Sequence, residues 1–362
     1  FKLFTEGGRD AELAVTDELA DECNSLTEAD VRSLEPDAAK ASELVTVQMS
    51  INWYLDAIMD SLNMDVIRHA HLHVVLDPMF GVAQTALQTV LITARCEVDV
   101  INDRHDPLFG GRMPSPAAGS LDSLRRAVVE SGAALGIASD GDADRLGIID
   151  DKGNYLTPNQ VLVLLYEYLV TEKGWEGPAV RNMSTTHLLD RVAEAHGQRC
   201  YEVPVGFKWI SAKMAETDAI IGGESSGGLT VRGHIPGKDG IHAGSLLVEA
   251  VAASGKKLSE MVEDLVERYG ELAMVEAAYD FTPARKEALY RRIFTEHDLP
   301  TFDHDVDHIS WSDGCKVYFA NGGWTTIRFS GTEPVLRVFA EMPTRDEAEA
   351  VAHTVAQHLE LA

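Results

Sequence analysis

Between Ala138 and Asp150 the chain reads ASDGDADRLGIID, with Asp140, Asp142 and Asp144 at every second position between two apolar runs. Three like charges this close repel one another unless a cation sits among them. Alternating carboxylates on an extended loop after a strand turn hard oxygen donors to one side. That geometry suits Mg2+, which takes few protein carboxylates and leaves room for a phosphate oxygen. A solvated loop of acids is the plain alternative, since Asp-Gly turns are common. An EF-hand fits poorly, because Arg145 stands where that loop needs glycine and the preceding element reads as a strand. An Asp-nucleophile phosphatase would want Ser or Thr where Asp144 stands. Arg145 adds a fixed cation whose planar fork matches phosphate.

Four further stretches carry chemistry. In VPVGFKWI, Lys208 follows Gly206 at the end of a strand, from which an ammonium can reach an anion in a cleft; a surface lysine is the bland reading. GGESSGG combines glycines that admit close backbone approach with Glu224 and Ser226, an acceptor and a hydroxyl suited to a sugar diol. GHIPGKDG brings Lys238, with Asp239 as a helix cap and His234 nearby. RFSGTEPVLR reads as strand, tight loop, strand. There Arg328, Ser330, Thr332 and Arg337 with the Gly331 amide form a nest of donors for a phosphate.

The elements that must position these loops alternate. LHVVL, EVDVIN and ALGIA read as strands separated by the helical stretches GVAQTALQTVLITA and LDSLRRAVVESG. A second unit repeats the order: helix PNQVLVLLYEYLVTEKG, strand PAVRN, helix THLLDRVAEAHG, strand RCYEV, helix KWISAKMAETD, strand AIIGG. Each unit ends a strand in a polar, glycine-bearing loop, and open sheets bind ligands beyond the carboxyl ends of their strands. Two more helical stretches follow (IHAGSLLVEAVAASG, KLSEMVEDLVERYG). After them KVYFANG, WTTIRF and VLRVFAEM read as neighbouring antiparallel strands of a smaller α+β domain. At the front, FKLFTEGGRD reads as a strand and turn, and a helix is expected from about Thr16-Asp17.

A chain of 362 residues with 45% hydrophobic content can bury two to four cores. Its formal charge of −27 argues against nucleic acid or an anionic membrane as partner. A small anionic substrate then needs local Lys and Arg. No apolar run approaches a membrane span and no basic leader opens the chain, so a cytoplasmic protein, monomer or dimer, is expected. Cys23, Cys96, Cys200 and Cys315 lie far apart and read as reduced thiols.

In this order the motifs SDGDADR, VGFK, GESSG, KDG and RFSGTEPVLR resemble the α-D-phosphohexomutase superfamily, the phosphoglucomutase/phosphomannomutase enzymes, over essentially the whole chain. The resemblance implies consecutive similar three-layer α/β/α domains with mixed sheets, plus a C-terminal α+β domain, around one cleft. The expected divisions are 1–48 (a remnant of domain 1), 49–153, 154–269 and 270–362. It also implies that Asp140, Asp142 and Asp144 bind Mg2+, and that Glu224 and Ser226 hold sugar hydroxyls. Arg328, Ser330, Gly331, Thr332 and Arg337 would grip the non-transferring phosphate. Arg145, Lys208 and Lys238 would sit near the transferring one, with Lys238 a candidate acid/base group.

The family transfers phosphate from a phosphoserine in a TASHNP-like loop, and no such loop occurs here. The family's wording after that loop runs close to Tyr-Asn-Gly-Phe-Lys, and this chain opens at Phe1-Lys2. The expectation is therefore a serine just upstream and little turnover by these residues alone. The implied reaction interconverts hexose 1- and 6-phosphates, glucose favoured, with glucose 1,6-bisphosphate as intermediate. A phosphomannomutase or dual-specificity enzyme is the near alternative, whereas Phe207-Lys208 stands where phosphoglucosamine mutases usually carry Asp-Arg. A non-catalytic sugar-phosphate binder that starts near Phe1 is the competing class.

Overall fold

The computed structural model describes residues 3–11, 13–331 and 333–361. Near the front, Phe4 bridges Asp10 across a turn. Helix α1 then runs Leu13–Ser25, a turn ahead of the expected start. Thr16 and Asp17 lie inside it rather than capping it, because Leu and Ala are strong helix formers and extend it backwards. Helix α2 (Pro36–Ala41) opens on proline, whose missing N–H costs nothing there.

From Ile51 the apolar spacing tightens into two units of the same design. The first comprises α3 (Ile51–Ser61), α4 (Met64–Ala70), β1 (His73–Asp77), α5 (Ala83–Thr93), β2 (Glu97–Val100), α6 (Asp122–Ser131), β3 (Leu135–Ser139), β4 (Leu146–Asp150) and β5 (Tyr155–Leu156). Its sheet runs β2-β1-β3-β4-β5, with β1 parallel to β2 and β3, and β4 antiparallel to both its neighbours. β3 and β4 are buried at every residue, as strands covered on both faces must be.

The second unit holds α7 (Pro158–Thr171), β6 (Ala179–Asn182), α8 (Leu188–Ala195), β7 (Cys200–Val203), α9 (Phe207–Thr217), β8 (Ile221–Gly223), β9 (Leu229–Val231), α10 (Gly240–Ser254) and α11 (Leu258–Tyr269). Its order, β7-β6-β8-β9, repeats the first four positions of the first sheet, β2-β1-β3-β4, again with one antiparallel member, and has no counterpart of β5. The β3–β4 loop with the three aspartates and the β8–β9 loop with Glu224 thus occupy equivalent positions. Helix α10 is buried from Gly240 to Val251. It packs on α4, α5, β3 and β4 as well as on α7 and β9, so one core joins the two units.

The last portion is an antiparallel sheet, β10 (Ala273–Asp280), β11 (Val306–Ser310), β12 (Cys315–Phe319), β13 (Trp324–Phe329) and β14 (Val335–Met342), ordered β10-β14-β13-β12-β11. Helix α12 (Pro283–Tyr290) precedes β11, and α13 (Arg345–His358) lies across β10 and β14. Strands β12 to β14 are the three apolar runs expected from sequence. β10 escapes that reading because it alternates half-buried and exposed residues.

Candidate active site

The aspartates converge. One carboxylate oxygen from each of Asp140, Asp142 and Asp144 lies within 4.8 Å of the others. Asp140 is buried, and burial pushes its carboxyl above the usual range although Arg145 pulls it down. One oxygen accepts the Arg145 amide at 3.0 Å and the other accepts Arg145 Nε at 2.7 Å. Lys238 Nζ lies 2.5 Å from Asp144 Oδ2. Asp144 Oδ1, by contrast, is buried without a hydrogen-bond partner, with Arg145 Nε 3.4 Å away. A set of hard oxygens with one buried oxygen unsatisfied fits a divalent cation. Ala143 adopts a left-handed backbone, φ 62°, between two of the acids.

Neighbouring loops fix this turn by close backbone approach. A Cβ on Gly81 would meet Gly141 O at 2.6 Å, and the Val82 amide donates to that same oxygen. The Gly240 amide donates to Ala143 O at 2.9 Å, which ties the start of α10 to the aspartate loop. Asp239 caps α10 as expected, accepting from the Ile241 and His242 amides, while His234 Nε2 lies 2.8 Å from its other oxygen. A Cβ on Gly227 would meet Leu146 O at 3.1 Å and Arg145 Cβ at 3.6 Å, and the Lys238 stem lies directly over Gly228. Glycines are therefore what let the β8–β9 loop seat on the aspartate loop.

Beyond Gly227 the same loop lines a cleft of about 340 Å³. Glu224 and Ser226 line it together with Val205 and Gly206, and so do Arg328, Ser330, Gly331 and Arg337 from the β13–β14 hairpin. Asn182 Nδ2 holds Glu224 Oε1 at 3.1 Å. Arg337 donates to Glu276 and to Glu333, each at 2.6 Å. Partial burial opposes its charge, but these two acids outweigh that and keep the guanidinium above its ordinary range. Lys208 is the second residue of α9, its Nζ 5.3 Å from the Trp209 ring, just behind the cleft-lining Val205 and Gly206. Thr332 lies outside the described residues.

One cluster escaped the sequence reading. Lys316, on β12, is completely buried where the last sheet meets the second unit. Its ammonium has three acceptors: Glu202 Oε2 at 2.6 Å, Met183 O at 2.7 Å and His187 Nε2 at 3.0 Å. Three acceptors match the three protons of the ammonium, and His187 Nε2 accepts only as neutral imidazole. Burial lowers His187 to about 4, Arg181 adding to the effect. Glu202 also accepts from Arg181 at 2.5 Å and from the Tyr318 hydroxyl. Its carboxyl is held well below the usual range, because these cations and donors outweigh its burial. A lysine inside an apolar strand was the available signal, but its partners lie more than a hundred residues away.

Three family models match in order: Phosphoglucomutase/phosphomannomutase, alpha/beta/alpha domain II over residues 52–153, alpha/beta/alpha domain III over 157–269, and the C-terminal domain over 265–358. A Thermococcus kodakarensis protein named phosphoglucomutase/phosphomannomutase is 30% identical over 295 residues, 82% of this chain and 62% of that relative. A Methanosarcina barkeri protein named "Probable phosphoglucosamine mutase" is 32% identical over 290 residues, 79% of this chain and 62% of that protein. Parafusin of Paramecium, a phosphoglucomutase crystallised in its open form, superposes with a TM-score of 0.71 at 23% identity. That match covers 88% of this chain and 62% of the other, and it shows the fold alone. The chain spans about 62–66% of the length of the curated relatives it matches. No helix among the described residues is long and apolar enough to cross a membrane.

Proposed function

Because the chain belongs to the α-D-phosphohexomutase superfamily, we propose that it forms the metal-, sugar- and phosphate-binding part of a mutase that interconverts hexose 1- and 6-phosphates, glucose foremost. The observation that carries this reading is one cleft lined by Glu224 and Ser226 as well as Arg328 and Arg337, the loop of Glu224 and Ser226 being seated on the aspartate turn.

Arg328, Ser330, Gly331 and Arg337 grip the phosphate that is not transferred, whichever end of the sugar carries it. Glu224 and Ser226 hold the sugar hydroxyls, an acceptor and a hydroxyl about 3.4 Å apart. Arg145, Lys208 and Lys238 offset charge on the transferring phosphate. Lys238, now paired with Asp144, exchanges a proton with the sugar oxygen. Asp140, Asp142 and Asp144 hold Mg2+, which supplies Lewis-acid stabilisation of phosphoryl oxygens. The donor is a phosphoserine from a segment other than these 362 residues, with glucose 1,6-bisphosphate as intermediate. These residues alone then turn over little or nothing. The divisions near 48, 153 and 269 belong to the same proposal.

The test is conversion of glucose 1-phosphate to glucose 6-phosphate by the intact gene product with Mg2+ and glucose 1,6-bisphosphate. Mannose 1-phosphate runs beside it. So does glucosamine 1-phosphate, since a relative at 32% identity carries that name. Turnover of none of the three rejects the mutase. Binding without turnover favours the non-catalytic sugar-phosphate binder instead.

A further inference from the structure

Asp313 joins two parts of the cleft lining, and neither its type nor its place among the charged residues of the chain draws attention in the sequence. It lies in the turn before β12, at the edge of the last sheet. A single carboxylate oxygen, Oδ2, accepts two hydrogen bonds: from Arg328 Nε at 3.0 Å, on the phosphate-facing hairpin, and from the Val205 amide at 2.7 Å, on the loop that leads into α9 and Lys208. Arg328 and Val205 both line the cleft, Arg328 on the last sheet and Val205 on the loop between β7 and α9 of the second unit. The next residue, Gly314, has φ 94°. A Cβ there would meet Ile327 O at 2.8 Å and the Arg328 stem at 3.2–3.3 Å, so the backbone itself abuts Arg328 on that side.

Arg328 is thus held through Nε alone, and its Nη groups make no hydrogen bond among the described residues. A guanidinium fixed through one edge keeps the opposite edge for a bidentate oxyanion. Arg337 is different, because both its Nη groups already sit on Glu276 and Glu333. Of the two arginines, Arg328 is the one preset to receive phosphate without first giving up a partner. An ordinary rim ion pair contributes little. This one joins a side-chain orientation to a domain contact, since the same oxygen cannot leave Val205 without loosening Arg328.

We propose that Asp313 is a positioning residue for phosphate recognition. It acts through Arg328, and it couples the seating of the C-terminal sheet on the Val205–Lys208 loop to presentation of the guanidinium edge in the cleft. The proposal rests on the reading of the β13–β14 loop as the phosphate site.

The experiment titrates glucose 1-phosphate, with glucose as the control lacking phosphate, into the 362-residue chain and its D313A, D313N, R328Q and D313A/R328Q variants. Exchange of the Val205 amide and of the Arg328 Nε–H is followed by NMR in each. Asp313→Ala is expected to weaken glucose 1-phosphate about tenfold, the scale of losing a well-oriented charge-assisted contact. Asp313→Asn, which keeps one acceptor oxygen, should recover most of that loss. In the R328Q background Asp313→Ala should change affinity by less than about twofold, because a group that acts through another has no effect once the other is gone. A merely structural role would instead give equal losses in both backgrounds, and that result overturns the proposal. Absence of glucose 1-phosphate binding by the parent chain overturns the phosphate reading itself. The clamp is still read in that case: protected Val205 and Arg328 protons that D313A exposes uphold it, and protons unprotected in the parent remove it.

Discussion

The β3–β4 turn and the β13–β14 turn are both connections between antiparallel neighbours, and both carry charged residues of the proposed site, although only the second lines the cleft. They are built in opposite ways. The first is set inside the molecule: Asp140 is 1% exposed, and glycines from two other loops touch its backbone. The second stands at the rim, its arginine side chains 22% and 36% exposed, and among the described residues nothing beyond its chain neighbours lies within 4 Å of a Cβ placed on Gly331. A cation site needs oxygens held at fixed separations, which only crowding by neighbours can enforce. If the hairpin accepts either end of a sugar phosphate, as proposed, it needs donors that can exchange partners, and Arg337, paired with two carboxylates, has the contacts of one.

If crowding is what preorganises the first turn, Gly81→Ala should be the most damaging change. Its Cβ would press on Gly141 O and break the Val82 amide bond, costing about 3 kcal/mol in urea unfolding. The stabilisation conferred by millimolar Mg2+ should vanish with it. An unchanged midpoint and an intact Mg2+ response would show that the turn shapes itself.

At the rim, Arg337→Ala should leave unfolding nearly unaltered while weakening glucose 1-phosphate by about 10- to 100-fold, the range for charge-assisted hydrogen bonds of 1.5–3 kcal/mol. Calorimetric titration decides it, and a loss of stability without a loss of affinity would place Arg337 in the scaffold instead.

Beneath the open hairpin lies the buried Lys316, and pH reads how firmly that base is set. Burial lowers Lys316 to about 7, with Arg181 adding to the effect and Glu202 opposing it. In the unfolded chain the group titrates near 10.4, so between about pH 7 and 10 the unfolded state binds a proton that the folded state lacks. Stability contributed here therefore rises with pH across that window, by up to about 1.4 kcal/mol per unit, and the cost of the buried ammonium is fully present below it. Lys316→Met should remove that slope relative to the parent in urea melts from pH 7 to 9.5. Parallel curves for the two proteins would contradict it.

The smallest effect sharpens the contrast most. Gly331→Ala meets open space and should shift stability by less than about 0.5 kcal/mol. A response as large as that of Gly81→Ala would erase the distinction between the two turns.

The sequence determined the elements and the chemistry of the loops. Alternating apolar runs specified β1, β3, β6 and β8 and their intervening helices, because period and turn residues are local properties. Spacing alone brought Asp140, Asp142 and Asp144 onto one loop, and local glycines marked the sugar turn. The start of α1 slipped because strong helix formers upstream outweighed a plausible cap. Only the tertiary structure decided that α10 threads both sheets into one core. Tertiary packing likewise brought Glu202, His187 and Lys316 together and set Asp313 between Val205 and Arg328. The contacts of Asp313 with Val205, and of Lys316 with Glu202 and His187, join residues separated by 108 to 129 positions. No local pattern encodes such pairs, since burial and charge compensation arise only when distant faces close on each other.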